Sequence, residues 1–205
     1  MMDVQGFFPN APVQIAALDC GAIVGMKTEF EQSEEGMFMG TSIARWSLGS
    51  VDPITVYFKG MSPFDPSDLS SMLEDNVLSF AASPDGMVVT APMATDIYTF
   101  SALTPDGAEI FTVIDDGFQR VPKTQQEIDI ETEVVNNQMR QLGMNPGMIN
   151  WEPDPYRPAI SGLGIDCHGR IWVRKGTIRS GTFDVYDPDG RFLYTVALDA
   201  GERAE

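Results

Sequence analysis

Four tetrapeptides limit most strongly how this chain can fold: Ser83-Pro84-Asp85-Gly86, Thr104-Pro105-Asp106-Gly107, Asp166-Cys167-His168-Gly169 and Asp187-Pro188-Asp189-Gly190. In three of them proline sits where φ is already near about −65°, and all four end on glycine, where φ must turn positive. Such a loop closes a tight antiparallel hairpin through a glycine bulge. The flanks suit strands. Ile97-Tyr-Thr-Phe-Ser-Ala-Leu103 alternates as a strand with one buried face does, and Phe183, Val185, Phe192, Tyr194 and Val196 alternate about Gly190 and are expected to fill the space between sheets.

The spacing of these turns adds a second constraint. Gly86 and Gly107 lie 21 residues apart, and so do Gly169 and Gly190. Self-similarity at a fixed period marks a repeat architecture, and two hairpins per unit give the four-stranded sheet of a propeller blade. The expected fold is all-β: a partial β-propeller of about three four-stranded antiparallel blades, at residues 11–60, 77–114 and 159–198. In the first blade, strands are expected at 13–18, 22–26, 37–48 and 54–58, with the acidic stretch 29–36 as a loop. Residues 61–76 read as a crossover with one short helical turn. Residues 121–158 interrupt the repeat. There Thr124-Gln-Gln-Glu127 is a capping box, and Ile128, Val135, Met139 and Leu142 follow at helical spacing up to Gly143. One inserted helix is therefore expected over 125–142, its apolar stripe lying on the rim or on a partner.

Thirteen basic residues against thirty acidic ones leave a net charge of −17. That field repels phosphate backbones and anionic lipid, so nucleic acid and membrane surfaces are poor partners. The acidity itself reads as a solubility feature. Cys20 and Cys167 are too few for a disulfide framework and, placed in turns of different blades, stay unpaired. No signal peptide and no bilayer-spanning apolar run are visible, so the chain reads as soluble, with a periplasmic or extracellular place open if it is a fragment.

Ser83-Pro-Asp-Gly-Met-Val-Val89, Gly164-Ile-Asp-Cys-His-Gly-Arg-Ile-Trp-Val173 and Phe183-Asp-Val-Tyr-Asp-Pro-Asp-Gly-Arg-Phe-Leu193 resemble the six-bladed, NHL-like β-propeller proteins of bacteria. The likeness covers 77–198 and is faint before it. Six blades need about 240 residues, and this chain holds about three. A fragment of a longer ring is expected ahead of two copies pairing as a homodimer or of an arc capped by its own termini. The resemblance implies a blade fold and little about activity.

Candidate chemistry is sparse. His168 is the sole histidine, and its neighbour Cys167 is the natural nucleophile to pair with it, but adjacent turn residues point apart and a structural or solvent-facing role is favoured. Asp184, Asp187 and Asp189 look like a calcium loop, yet Val185 and Val196 occupy slots that such a loop needs for ligands, so a hairpin turn is favoured. Glu29, Glu31, Glu34 and Glu35 read as a solvated face. Arg170, Trp172, Arg174 and Lys175 form a small basic and aromatic patch, the candidate ligand- or protein-binding residues, against the plainer expectation that Trp172 packs in the core. Propeller enzymes of the gluconolactonase type hold a divalent metal with carboxylates and amides from several blades, and by that resemblance Asp75, Asn76, Asp96 and Asp166 are the metal candidates, with calcium the natural cation. The expected function is a non-catalytic binding or scaffold module without a cofactor, for a protein or small-molecule ligand; the alternative is a metal-assisted lactonase.

Overall fold

The computed structural model describes residues 14–19, 21–34, 36–50, 52–63, 78–141, 143, 145–148, 152–177 and 180–198. Among the described residues twelve strands form three four-stranded antiparallel sheets, each built from consecutive strands. The first holds β1 Gln14–Asp19, β2 Ala22–Ser33, β3 Gly36–Ser47 and β4 Thr55–Pro63. The second holds β5 Leu78–Ala82, β6 Val88–Pro92, β7 Thr99–Leu103 and β8 Glu109–Ile114, and the third β9 Ile160–Ile165, β10 Ile171–Lys175, β11 Thr182–Tyr186 and β12 Phe192–Ala197. The leading strands are neighbours in space: β1 lies beside β5, and β5 beside β9. Each sheet thus follows the last about its first strand, as blades of a partial β-propeller do.

All four glycine turns share one hydrogen-bond plan. The amides of Gly86, Gly107, Gly169 and Gly190 donate to the carbonyls of Ser83, Thr104, Asp166 and Asp187, at 2.9–3.0 Å. Every one of these glycines has positive φ, between 75° and 98°. The 21-residue spacing also has a packing reason. A Cβ on Gly86 would sit 2.7 Å from Pro105 Cγ, and one on Gly169 3.3 Å from Pro188 Cγ, so the two turns at one end of the second sheet nest together, as do those of the third. The second turn of each of these two sheets also rests on the sheet before it. Gly190 faces Phe111 of β8, and Gly107 faces Thr55 of β4, beside a Tyr57 hydroxyl that donates to Pro105 O at 3.0 Å.

The second sheet is buried on both faces. Its neighbours Val88 and Val89 point opposite ways, as period-2 side chains must, and both are fully buried. Val88 and Phe80 pack on Ala22, Val24 and Ile43 of the first sheet. Val89, Tyr98 and Phe100 pack on Ile160, Ile171, Val173 and Tyr186 of the third. Three expectations change. Residues 29–33 are not a loop but the end of β2, which pairs continuously with β3 from Ala22↔Ser47 to Ser33↔Gly36, and β4 follows β3 out to Pro63. The charges there are tied on the sheet: Glu29 is bound by Lys27 on its own strand (3.4 Å) and, across strands, by Lys59 (3.2 Å) and the Ser42 hydroxyl (2.7 Å), and Lys59 also binds Glu31. Next, Phe183 and Val185 pair across β10 with Arg174 and Trp172, on the face turned from the second sheet, so Asp184 and Tyr186 fill the space between sheets instead. Finally, Phe192 and Tyr194, on the outer strand β12, are 56% and 41% exposed rather than buried. The proposed crossover helix falls outside the described residues over 64–77.

The inserted helix α1 spans Gln125–Gln141. Its capping box is formed: the Glu127 amide donates to Thr124 Oγ1 at 3.3 Å, and the Thr124 amide donates to Glu127 Oε2 at 2.8 Å. Ile128 and Val135 are half-buried and Met139 buried along one stripe; Leu142 lies outside the described residues. A short neck ties the insertion to the sheets, through a bridge between Pro122 and Tyr156 and backbone bonds joining Lys123 to Pro155 and Arg157 to Val121. Among the described residues no helix is long and apolar enough to cross a membrane.

Candidate functional site

A cleft of about 380 Å³ opens between the second and third sheets, where the neck of the insertion meets the β10–β11 connection. Its floor follows from the strand alternation already described. Tyr98 precedes β7 on the face that meets the third sheet, and Asp184 of β11 pairs across the strand with Val173, on the face that meets the second. The two side chains therefore converge between the sheets, at 2% and 7% exposure. A carboxylate so placed is tolerated only if its oxygens are occupied. Asp184 Oδ1 accepts from the Thr195 hydroxyl at 2.6 Å, while Oδ2 accepts from the Tyr98 hydroxyl at 3.1 Å and pairs with Lys175 Nζ at 3.2 Å. The Tyr186 hydroxyl in turn donates to Tyr98 Oη at 3.0 Å. Burial first, then the Tyr186 and Asp184 contacts, push the Tyr98 phenol far above its ordinary range, so it stays a donor. Burial raises Tyr186 as well.

The rim carries Asp115, Phe118, Gln119, Arg157 and Thr182. Arg157 is anchored from the helix, since Glu127 Oε2 accepts its Nε at 3.2 Å and its Nη2 at 2.9 Å. The same oxygen accepts the Thr124 amide, so one carboxylate both caps the helix and sets an arginine at the cleft. Arg157 foremost, with the Thr124 amide, holds the Glu127 carboxyl down to about 2. Gly176, at positive φ, leaves room for the Arg157 stem: a Cβ there would lie 3.8 Å from Arg157 Cδ.

Of the four sequence-derived patch residues, only Lys175 reaches this cleft. Arg170 and Trp172 turn instead to Asp166, which accepts Arg170 Nε at 2.7 Å and Trp172 Nε1 at 3.1 Å through one oxygen. Its other oxygen accepts the His168 and Arg170 amides. Partial desolvation works against ionisation there, but Trp172, Arg170 and the two amides outweigh it and hold the carboxyl well below its usual range. Arg174 lies over the bare backbone of Gly162 and donates to Ser161 O at 3.2 Å. The patch thus divides into a contact that Arg170 and Trp172 share at Asp166, a separate one made by Arg174, and one cleft residue, Lys175.

The metal candidates are likewise scattered. Asp75 and Asn76 lie outside the described residues, Asp96 is exposed, and Asp166 is engaged as above. Among the described residues no three His, Cys, Asp or Glu side chains gather as metal ligands. His168 and Cys167 are exposed in their turn, with Sγ 3.4 Å from Nδ1. Asp187 Oδ1 accepts the Asp189 and Arg191 amides, the hairpin role expected of it. Sequence reasoning misses Tyr98, Asp115 and Arg157, and weighs Asp184 only within the calcium-loop-like turn. The one signal available was an aspartate inside a strand otherwise built from Phe183, Val185 and Tyr186.

No family profile and no curated protein matches the chain. Among solved structures it is similar to a protein of unknown function from Bacteroides caccae, at 12% identity and a TM-score of 0.39, over 91% of this chain and 45% of that one. It is also similar to regucalcin, a calcium-binding protein from Agrobacterium tumefaciens, at 14% identity and a TM-score of 0.35, over 85% of this chain and 45% of that one. The chain therefore spans under half the length of either protein.

Proposed function

We propose that this chain is a non-catalytic binding module whose small ligand occupies the cleft between the second and third sheets. The observation that carries this reading is the cleft floor, a buried tyrosine and aspartate locked together by Thr195, Tyr186 and Lys175. A fully hydrogen-bonded polar floor under an open rim holds its shape without a ligand, which lowers the ordering cost of binding. The binding reading is favoured over a hydrolytic one by the state of the reactive groups. Lys175 is held in an ion pair, and the Ser180 and Thr182 hydroxyls have no histidine beside them, because the sole histidine sits in the 166–169 turn.

The test is amide-resolved NMR of the labelled chain titrated with a library of small polar fragments. Hits should shift Gly117, Phe118, Gln119, Gly176 and Thr182 first, and Ser180→Tyr, which fills the cleft, should abolish them while the melting temperature holds. Fragments that shift the exposed outer strands instead, or turnover in an esterase and lactone screen, would sink the reading.

A further inference from the structure

We infer that the cleft selects a small neutral polyol, a hydroxylated skeleton without formal charge, over an organic anion or an amino acid. This rests on the binding reading above and names the ligand's chemistry. Four charged side chains line the cleft, two of each sign: Asp115 and Asp184, Arg157 and Lys175. Both cations are already committed. Lys175 pairs with Asp184 and Arg157 with Glu127, and in each pair the carboxylate is the more buried partner, at 9% against 40% exposure and 24% against 33%. An anionic ligand has to draw one of those cations away, which strands a partly buried carboxylate and costs about a hundredfold or more in affinity. An amino acid carries the same carboxylate penalty, and its ammonium finds a single open carboxylate oxygen, since both Asp184 oxygens are filled and the Gly117 amide takes one oxygen of Asp115 at 2.9 Å.

A hydroxyl group avoids both penalties because it donates and accepts at once. It can take a spare proton of the Lys175 ammonium without breaking the pair, and give its own to the second oxygen of Asp115. The Gln119 amide and the Thr182 hydroxyl make no side-chain hydrogen bond among the described residues, and each offers the same two-way chemistry. Phe118, tilted at 6.2 Å against Tyr98, supplies an apolar wall for the C–H face of a ring. The volume of about 380 Å³ is near the lower end for ligand sites, which run roughly 300–1,000 Å³, and suits one small ring.

The experiment is calorimetric titration with parallel NMR, using myo-inositol and glucose against citrate and against glycine, each in low and in high salt. The expected result is saturable polyol binding that shifts the 117–119 and Thr182 amides and changes less than twofold with salt, since a neutral ligand has no charge to screen. Thr182→Val and Gln119→Ala should each weaken it at least threefold with the melting temperature kept. Citrate or glycine binding in the cleft more tightly than either polyol, or a steep salt dependence, overturns the polyol inference and leaves the binding reading standing. If no probe of any class moves a cleft resonance, the binding reading fails with it.

Discussion

Replacing Tyr98 by phenylalanine tests how the second and third sheets are joined. The ring is 2% exposed and keeps its place beside Phe118 in the variant, so only the hydroxyl is removed. That hydroxyl donates to the Asp184 carboxylate and accepts from Tyr186. A hydrogen bond to a charged group contributes roughly 1.5–3 kcal/mol, and the Tyr186 donor left without an acceptor costs about 1–3 kcal/mol more. Asp184 retains Thr195 and Lys175, which places the expected loss near the lower end of the combined range, at about 3 kcal/mol. For a chain of this size each kcal/mol shifts the melting temperature by about 2–4 °C, so a fall of roughly 6–12 °C is expected by calorimetry. Tyr186→Phe leaves no orphaned donor and should cost only about 1 kcal/mol. The double variant Tyr98→Phe/Tyr186→Phe is the decisive arm, since it removes the orphan that the first change creates. It should be no less stable than Tyr98→Phe alone. Strict additivity of the two losses, or equal losses from the two single changes, would refute the directed chain from Tyr186 through Tyr98 to Asp184.

Other expectations follow from the turns and the helix cap. Gly190→Ala brings a Cβ to 2.5 Å from Phe111 Cε2 at a φ of 80° and should cost about 2–4 kcal/mol in urea unfolding, while Gly107→Ala, with 3.3 Å to Thr55, should lose only the left-handed strain of about 1–2 kcal/mol. Equal losses at the two glycines would argue against contact between the sheets there. Thr124→Ala removes the cap hydroxyl and should cost about 1 kcal/mol, read as faster hydrogen exchange at the start of α1 with the sheet amides unchanged. Glu127 has a carboxyl held down to about 2 against an ordinary 4.5, so its stabilisation is fully present above pH 4.5 and is lost as pH falls toward 2. Melting temperatures of the parent and Glu127→Gln should therefore differ at neutral pH and converge in acid; a gap that persists at pH 2 rules out the ionic Glu127–Arg157 tie as its source.

The local parts of this fold were legible because their causes are local. Proline and glycine set the backbone angles of the 83–86, 104–107 and 187–190 turns by their own covalent structure, and a threonine and glutamate three residues apart can cap a helix only one way. The alternation at Tyr98, Phe100 and Ala102 marked a buried face for the same reason, since side chains on a strand take opposite sides by geometry alone. The strand over 29–33 is not legible locally because charge is a poor guide to structure when the charges pair across strands, and the partner Lys59 stands about thirty positions away. Which face of β11 turns inward was also undetermined locally. Phe183 and Val185 are the more apolar pair, but the register with β10 sends Asp184 and Tyr186 to the second sheet. The cleft belongs wholly to the tertiary structure, because Tyr98, Arg157, Lys175 and Asp184 meet only when two sheets and an insertion neck come together, and no spacing along the chain records that meeting. Sequence dictated the turns, the helix and the sheet repeat through short-range sterics; the pairing of charges and the placing of the site came from contacts between residues distant in the chain.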